Sequence, residues 1–349
     1  MSAPQVSVLM PTHARPDVLG LAIDSVLDQS LDDFELLLVG DGVADATREV
    51  VTRYTDPRIR WFDLPKAPHF GYANRNVALA QSRGRLIAFA ADDDLMFPDH
   101  LERLAATFTD PEVVFAHSLA VWVSADSVAA PDLTNLEIPA EMTVFLEAGN
   151  TLAAGTVMYR ADALPQRGAW PEDVSASGDW RLWQRIIGAH SPAACRHLPL
   201  MTMMHFKASR KTRRDSHFSR LAAFLDLADN ADWWPLALRR PVAPDATPQS
   251  AYARHRFADP DGFARDIRAA CDLVIRRMVL HLLDAQPAPV SDWRFEALES
   301  ELGSLKQASA TLEAECVRLR GERDAFLSST SWRLTAPVRA LGRLIARRD

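Results

Sequence analysis

Short apolar runs alternate with segments of helical period along the N-terminal third of the chain. Each run is apolar or β-branched and is bounded by Pro, Gly or Asp, which is typical of a buried strand. The runs predict strands at residues 6–10, 35–39, 60–64 and 86–90. The apolar spacing between them predicts helices over residues 16–29, over residues 45–54 with Asp45 as the cap, and over residues 72–81.

This alternation of strands and helices predicts βαβ units, and therefore a parallel sheet covered by helices. In such sheets ligands bind beyond the carboxyl ends of the strands. Three segments follow predicted strands in this way: residues 11–15, 40–45 and 91–94. We therefore expect the functional site where these three segments meet.

The pattern changes in the C-terminal half. Residues 177–187 predict a helix, residues 198–206 a strand and residues 216–285 further helices, before Pro287 and Pro289 indicate a linker. These changes predict four parts of the chain: an α/β domain over residues 1–215, a helical region with its linker over 216–290, a coiled coil over 291–327 and a basic amphipathic tail over 328–349.

A heptad repeat identifies the coiled-coil segment. Leucine fills four of the five d positions, which are Leu298, Leu305, Leu312, Leu319 and Phe326, and the a positions are Phe295, Leu302, Ser309, Cys316 and Arg323. The g and e residues that would face each other in a parallel dimer have opposite charge, in the pairs Arg294–Glu299, Glu301–Lys306 and Glu315–Arg320. The repeat therefore predicts a homodimer. The alternative is a single amphipathic helix that lies on its own domain.

The tail combines apolar and basic faces. Val338, Leu341, Leu344 and Ile345 share one face, and the arginines at 339, 343 and 347 share the other. A local charge of about +4 on a short amphipathic helix is typical of an interfacial anchor. We expect peripheral contact with the inner face of the cytoplasmic membrane; the alternative is an ordinary surface helix.

Composition narrows the class of protein. The 349 residues are 48% hydrophobic and 24% charged, which indicates a soluble globular chain. A net charge of -7 argues against a nucleic-acid partner. Three widely separated cysteines exclude a disulfide framework, and no apolar run reaches the ~18 residues of a membrane span. The N-terminus also lacks the pattern of a signal peptide, so a cytoplasmic location is expected.

Three adjacent carboxylates, Asp92, Asp93 and Asp94, follow the apolar run LIAFAA. Adjacent carboxylates repel one another unless a cation lies between them. Divalent cations such as Mg²⁺ prefer carboxylate oxygens and often share their coordination with substrate phosphates. The trio therefore predicts a divalent metal site; the alternative, capping of the next helix, needs only one aspartate.

Asp179 has an apolar neighbourhood formed by Trp180, Leu182 and Trp183. Desolvation there is expected to raise the pKa of its carboxyl group, which suits a general base. The alternative is that Asp179 caps the helix that follows. The two roles are compatible, because a helix start also fixes the position of a carboxylate.

Four stretches of the chain, in order and at matching spacing, resemble the family-2 glycosyltransferases of the bacterial surface-polysaccharide type. They are VSVLMPTHARP, AIDSVLDQSLDDFELLLVGDG, ANRNVALAQSRGRLIAFAADDDLMFPDHL and SGDWRLW. The resemblance covers about residues 5–210. It implies an inverting enzyme with a GT-A nucleotide-sugar-binding domain, which is a Rossmann-like mixed sheet flanked by helices, and a nucleotide-diphosphate sugar as donor.

The resemblance also implies a role for each matched residue. The residues that would bind the donor's base, ribose or diphosphate are Pro11, Thr12, His13, Asp41, Arg75, Asn76 and Asp92. Asp93 and Asp94 would hold Mg²⁺ or Mn²⁺, with His205 as a further ligand; the alternative for His205 is a core histidine. Asp179 would be the catalytic base. The basic run at residues 207–214 is interpreted as a lid over the diphosphate, or else as a solvated loop.

Two departures from the family pattern leave the nucleotide base open. Gly40 stands where the family often has Asp, and His13 and Ala14 stand where Tyr-Asn is common. We expect transfer of a sugar to a glycan or lipid-linked glycan acceptor. One alternative is a non-catalytic coiled-coil scaffold with a degenerate transferase domain, which the missing aspartate favours. Another is a sugar-phosphate nucleotidyltransferase, which the absence of a Gly-rich phosphate loop disfavours.

Overall fold

The computed structural model describes residues 3–165, 170–206, 219–284 and 292–328. The chain divides into two compact units, Met1–Leu280 and His281–Asp349. The first unit contains a nine-stranded mixed sheet, and its strands are β1 Val6–Thr12, β2 Phe34–Asp41, β3 Ile59–Leu64, β4 Leu86–Phe89, β5 Leu95–Met96, β6 Phe115–Val123, β7 Ala129–Pro131, β8 Val157–Arg160 and β9 Cys195–Phe206.

The strands lie in the order β3-β2-β1-β4-β8-β6-β9-β5, with β7 paired to β6. The first four strands along the chain pair in parallel, as βαβ connections require. Strand β8 runs antiparallel to both of its neighbours, β4 and β6, and β5 runs antiparallel to β9. The sheet is therefore mixed, with a parallel half that ends in the segments predicted to carry the site.

Helices cover the sheet and continue beyond it. Their bounds are α1 Pro16–Leu27, α2 Asp45–Thr52, α3 Tyr72–Leu79, α4 His100–Ala106, α5 Pro139–Glu147, α6 Gly178–Ala189, α7 Ser219–Asn230, α8 Pro248–Ala258, α9 Pro260–Asp284 and α10 Asp292–Ser328. Helix α2 begins at Asp45, and Ala44 rather than Asp45 occupies the cap position. Each strand and helix expected in the N-terminal third is present within two residues at most of its predicted ends.

Alternate residues of the central strands pack on opposite faces of the sheet. Val8 packs with Leu19 and Ile23 of α1 on one face, whereas Leu9 packs with residues of α3 and α6 on the other. Both faces of β1 and β2 are buried, which explains why their sequences read as continuous apolar runs. The architecture confirms the expected sheet flanked by helices.

The boundary predicted at residue 215 does not separate compact units. Helices α7, α8 and α9 share one hydrophobic core with β6 and β9, and the unit continues to Leu280. Arg256 of α8 has no exposed surface and donates to the backbone carbonyl of Met96 at 3.0 Å. Helical period reports that a segment is amphipathic but not which surface it covers, so the sequence misplaced this boundary.

Helix α10, described by itself, is 37 residues long. Its residues from 300 to 325 are exposed, and four of its seam leucines retain half or more of their surface: Leu302, Leu305, Leu312 and Leu319. The predicted tail lies outside the described residues except for Ser328. Within the four described ranges, no helix has both the length and the apolar character that crossing a bilayer requires.

Candidate functional site

A cavity of about 520 Å³ lies at the carboxyl ends of the parallel strands. Thr12 and Asp41 are the last residues of β1 and β2, and Asp92 follows β4 by three residues. The residues that line it are Pro11, Thr12, His13, Ala14, Arg15, Asp41, Lys66, His69, Phe70, Arg75, Phe89, Ala91, Asp92 and Asp93. The three segments chosen from the strand pattern thus contribute to one cavity, as the rule for parallel sheets predicts.

The carboxylate of Asp41, which lines the cavity, is held by three donors. Its Oδ1 atom accepts hydrogen bonds from the Ala67 backbone amide and from Asn74 Nδ2, both at 2.8 Å, and its Oδ2 atom pairs with the Lys66 ammonium. Gly71 approaches this carboxylate so closely that a Cβ atom there would lie 2.5 Å from the Asp41 carboxyl carbon. Asp41 is therefore fixed in place beside a cation.

The imidazole of His13 is fixed beside Asp41, because its Nδ1–H donates to the backbone carbonyl of Asp41 at 2.7 Å. Lys66 was missed at the sequence level, although it follows strand β3 as the predicted site residues follow β1, β2 and β4. The rule about carboxyl ends, extended to β3, would have found it.

Arg75 lines the cavity and lies inside an aromatic cage. Its guanidinium carbon lies 4.4 Å from the ring centre of Trp170, 5.0 Å from that of Tyr72 and 5.7 Å from that of Phe89. Burial lowers the pKa of Arg75, and the nearby Tyr72 and Asp179 oppose this shift. The Nε atom of Arg75 is buried and has no hydrogen-bond partner among the described residues. This buried cation therefore retains hydrogen-bonding capacity for an anionic ligand.

Asn76 does not line the cavity, which corrects its expected place beside the diphosphate or ribose. Its side chain instead makes two hydrogen bonds to the backbone of Trp170: Nδ2 donates to the carbonyl and Oδ1 accepts from the amide, each at 2.9 Å. Because Trp170 stacks on Arg75, Asn76 positions the cage. Its amide thus acts on the site through Trp170.

Asp92 and Asp93 also line the cavity, and Arg15 pairs with both. The Arg15 Nε atom lies 3.6 Å from Asp92 Oδ1, and an Nη1 contact joins Arg15 to Asp93. Burial raises the pKa of Asp92, while the charge of Arg15 lowers it. The repulsion expected between adjacent carboxylates is thus compensated in this structure by a guanidinium group.

The side chain of Asp94 is hydrogen-bonded to strand β9 and does not line the cavity. Its Oδ2 atom accepts from His205 Nδ1 at 2.8 Å, and its Oδ1 atom accepts from the Phe206 backbone amide at 2.9 Å. Sequence reasoning did not identify Gln249 of α8, whose Nε2 atom donates to the Asp93 carbonyl at 3.3 Å. The trio is consequently fastened to two elements distant in sequence.

The predicted metal set of Asp93, Asp94 and His205 is not assembled around one point. The described residues contain no cluster of three acidic, His or Cys side chains arranged for a metal, because Asp94 and His205 bond to each other and Asp93 pairs with Arg15. The chemistry of Asp92 and Asp93 nevertheless fits a hard divalent cation, since both present carboxylate oxygens at the cavity. Of the acidic trio, Asp92 and Asp93 are the two residues that line the cavity.

Asp179 lies in the first turn of α6. Ser177, with a φ of 57°, is the cap residue, so Asp179 does not cap this helix. The Asp179 Oδ1 atom accepts from the Trp180 amide at 2.8 Å, and Asn150 Nδ2 lies 3.4 Å from Oδ2. Burial raises the pKa of Asp179, and the charges of Arg75 and His205 are among the influences that lower it. Asp179 is thus a desolvated carboxylate within electrostatic reach of Arg75.

Helix α6 is joined to the cage directly. The Gly178 amide donates to the Tyr72 hydroxyl at 3.0 Å, and the Tyr72 ring stacks on Trp170 with 5.7 Å between ring centres. Helix α3, which carries Arg75, and helix α6, which carries Asp179, are therefore connected by the hydrogen bond between Tyr72 and Gly178. The basic run predicted as a lid, residues 207–214, lies outside the described residues.

Comparison with known proteins gives a consistent family. Residues 7–163 match the sequence profile described as "Glycosyl transferase family 2". An uncharacterized glycosyltransferase of Rickettsia bellii is 26% identical over 183 residues, which cover 52% of this chain and 26% of the relative. The Escherichia coli UDP-Glc:alpha-D-GlcNAc-diphosphoundecaprenol beta-1,3-glucosyltransferase WfgD is 36% identical over 97 residues, 28% of this chain and 38% of the relative.

Among solved structures, S. aureus TarS 1-349 in complex with UDP-GlcNAc is 20% identical with a TM-score of 0.46, and the match covers 59% of this chain and 60% of that one. The chain spans about a quarter to a third of the length of the first curated relatives it matches. The part of the chain that matches a known family is therefore residues 7–163, and the family that it matches is glycosyl transferase family 2.

Proposed function

We propose that this chain is an inverting glycosyltransferase that moves a sugar from a nucleotide-diphosphate sugar to a hydroxyl of a glycan or lipid-linked glycan. The observation that carries the proposal is a single cavity lined by a fixed carboxylate with Lys66, by Arg75, and by Asp92 with Asp93. Asp179 adds a desolvated carboxylate beside the same arginine. The volume of the cavity, about 520 Å³, is in the usual range for small-molecule sites.

The groups that line the cavity suit the parts of a nucleotide-sugar donor. Asp41 and the ring of His13 offer polar contacts for a nucleobase near the ends of β1 and β2. Arg75 and Lys66 provide cations for the diphosphate, and Arg75 keeps an unpaired N–H for it. The base itself is left open, because His13 and Ala14 replace the residues common in the family at this surface.

Asp179 is the base in this proposal. It removes the proton from the acceptor hydroxyl as that oxygen attacks the anomeric carbon of the donor sugar, and the bond to the nucleoside diphosphate breaks on the opposite face. Desolvation raises the pKa of Asp179 towards the range in which a carboxylate accepts a proton effectively near neutral pH. A hydrogen bond from Trp180 orients the carboxylate.

Mg²⁺ or Mn²⁺ bound at Asp92 and Asp93 would neutralise charge on the departing diphosphate. Arg15 now pairs with these two carboxylates, so it must yield at least one oxygen when a cation binds. Titration with Mn²⁺, followed by the electron paramagnetic resonance of free Mn²⁺, tests the site without turnover. Asp93→Asn should weaken Mn²⁺ binding at least tenfold, whereas the exposed Asp173→Asn should not change it. Equal binding by both variants would remove Asp93 from the site.

A donor screen tests the proposed activity. UDP-, GDP- and dTDP-sugars are incubated with the full chain and Mn²⁺, and release of nucleoside diphosphate is measured with and without glycan acceptors. We expect slow hydrolysis of one donor that accelerates when an acceptor is added. If no donor is bound or cleaved, the chain is a non-catalytic scaffold, the reading that the glycine at position 40 supports.

We also propose that α10 forms a parallel two-stranded coil with a second copy of this chain. The exposed leucines at its d positions and the opposite charges of Glu301–Lys306 and Glu315–Arg320 support this pairing. A helix with 26 consecutive exposed residues also gains stability from a partner.

Sedimentation equilibrium tests this dimer. The double variant Leu305→Asp/Leu312→Asp should be monomeric, while Val317→Asp should remain dimeric, because Val317 is as exposed but lies outside the heptad seam. A wild-type monomer at all concentrations, or dissociation by Val317→Asp as well, would refute the coil.

Residues 328–349 are proposed to bring this dimer to the inner membrane surface, where lipid-linked acceptors would be reached. The name of WfgD, which includes a diphosphoundecaprenol acceptor, supports a lipid-linked substrate for this chain. Co-sedimentation with anionic liposomes compares the full chain with a chain that ends at residue 327. The full chain should sediment at low salt and the shortened chain should not; equal behaviour of the two contradicts the anchor.

A further inference from the structure

A second cavity, of about 620 Å³, lies on the outer side of helix α8, and we call it the α8 cavity. One wall is the helix face that carries Ser250, Arg254 and His255, and the other is the loop of residues 240–246, which begins at Arg240. The cavity at the carboxyl ends of the parallel strands, which we call the donor cavity, shares no lining residue with it. The α8 cavity is thus a separate site of similar size.

The polar side chains of the α8 cavity are cationic or neutral, and no Asp or Glu lines it. Within the described part of the chain, neither Arg240 nor Arg254 forms an ion pair with an acidic side chain. Arg256, on the opposite face of the same helix, pairs with Asp28 in the ordinary way. The α8 cavity thus brings together two guanidinium groups without acidic partners among the residues that the structure describes, in a protein whose net charge is -7.

Two buried nitrogen atoms at this cavity lack hydrogen-bond partners among the described residues: Arg240 Nε and His255 Nε2. A buried polar atom without a partner costs roughly 1–3 kcal/mol, so its presence calls for a ligand or a compensating group. Both atoms belong to side chains able to donate to an anion. The unmet donors therefore point to the same ligand chemistry as the unpaired charges.

The walls of the α8 cavity are fixed before any ligand arrives. The Arg240 amide donates to the Ser127 carbonyl at 3.3 Å, and the Tyr252 hydroxyl donates to the same carbonyl at 3.1 Å. A capping box between Thr247 and Ser250 fixes the start of α8. The cations consequently need little reorganisation to bind.

We propose that the α8 cavity binds a phosphate or diphosphate group of a small ligand. Guanidinium groups bind phosphate oxygens through paired, charge-assisted hydrogen bonds, and His255 adds a third donor. The remaining wall is apolar, formed by residues such as Val242, Ala246 and Ala251, and accommodates the organic part of the ligand. The shared chemistry covers a free phosphate compound and a phosphorylated lipid headgroup.

The test follows the imidazole resonance of His255 in the full chain labelled with isotopic histidine, assigned by its loss in His255→Asn. Inorganic phosphate, pyrophosphate and vesicles that contain phosphatidic acid are the three probes. Saturable displacement of this resonance by phosphate or pyrophosphate supports the site with a soluble ligand. Displacement by the vesicles alone supports the site with a lipid headgroup.

Matched variants separate the α8 cavity from the donor cavity. Arg240→Gln/Arg254→Gln should weaken the response at least tenfold, as loss of two charge-assisted contacts predicts. Arg265→Gln, an exposed arginine of α9 outside the cavity, and Lys66→Gln in the donor cavity should leave it unchanged. The melting temperature of each variant establishes that it is folded. No displacement by any probe, or an equal response in the folded double variant, overturns the proposal.

Discussion

Replacement of Asp179 by Asn removes a charge from the proposed centre while keeping the shape of the side chain. The hydrogen bond from the Trp180 amide, 2.8 Å long, can persist to the amide oxygen of Asn. A general base contributes about 10²–10⁴ in rate, or roughly 2.7–5.5 kcal/mol of the barrier. We therefore expect Asp179→Asn to lower the transfer rate by that factor. Donor affinity should change less than about threefold, because Asp179 does not line the donor cavity.

The pH dependence of the same variant follows from the sign of the pKa shift. Burial raises the pKa of Asp179, so the folded chain holds this proton more tightly than the unfolded chain does. The penalty for ionising the buried carboxyl group grows as the pH rises from its unfolded value through its raised value, and it is complete above that range. Asp179→Asn removes the penalty. At neutral pH the variant should be at least as resistant to urea as the wild type.

The assay measures nucleoside diphosphate release between pH 4.5 and 8.5 with the donor found by screening. The wild-type kcat/KM should fall on the acid side, at a pH above the 3.8 of an ordinary Asp. In Asp179→Asn this limb should be absent from the small residual rate, and Asp173→Asn should behave like the wild type. Transfer by Asp179→Asn within threefold of the wild-type rate would refute the assignment of Asp179 as the base.

Two further predictions concern a glycine beside Asp41 and two buried histidines. Gly71→Ala should lower the melting temperature and weaken nucleotide binding, because a φ of 72° costs alanine about 1–2 kcal/mol and its Cβ would displace the Asp41 carboxylate; Gly149→Ala, with open space around it, should do neither. Burial lowers the pKa of His100 to about 4 and of His117 to about 3, so protons bind the unfolded chain first. Stability should therefore fall as the pH drops below about 6.5, by up to about 1.4 kcal/mol per pH unit for each histidine, and urea unfolding at pH 7, 6 and 5 that gives equal free energies would contradict this.

The parallel half of the sheet and the position of its site could be predicted because both depend on local signals. Apolar runs of strand length determine β1, β2 and β4, and the carboxyl-end rule then selects Thr12, Asp41 and Asp92. The apolar neighbours of Asp179 predicted a raised pKa, and burial does raise it, whereas its role as a base came from the family resemblance and stays a prediction. The strands and helices predicted from periodicity in the N-terminal third are therefore the elements that the fold confirms.

The partners of the site residues depend on contacts between distant parts of the chain, which no local pattern encodes. Asn76 bonds to Trp170, 94 residues away, and His205 bonds to Asp94, 111 residues away. The sequence predicted that a metal ion would offset the repulsion between the adjacent carboxylates. In the structure Arg15, from the loop after β1, pairs with two of them. The role of helices α7–α9 as part of the same core was hidden for the same reason.

The positive and negative side chains that line the donor cavity are equal in number. Three cations, Arg15, Lys66 and Arg75, face three carboxylates, Asp41, Asp92 and Asp93. The ion pairs already formed by Arg15 and Lys66 leave Arg75 as the lining cation without a direct carboxylate contact in the described structure.

A nucleoside diphosphate brings at least two negative charges into this balanced site, and one partly desolvated guanidinium cannot offset them. Binding must therefore either separate existing pairs or recruit a further cation. This imbalance is the physical reason for the proposed Mg²⁺ or Mn²⁺ at Asp92 and Asp93. Arg15, whose side chain is 40% exposed, is the partner that such a cation would displace from these carboxylates.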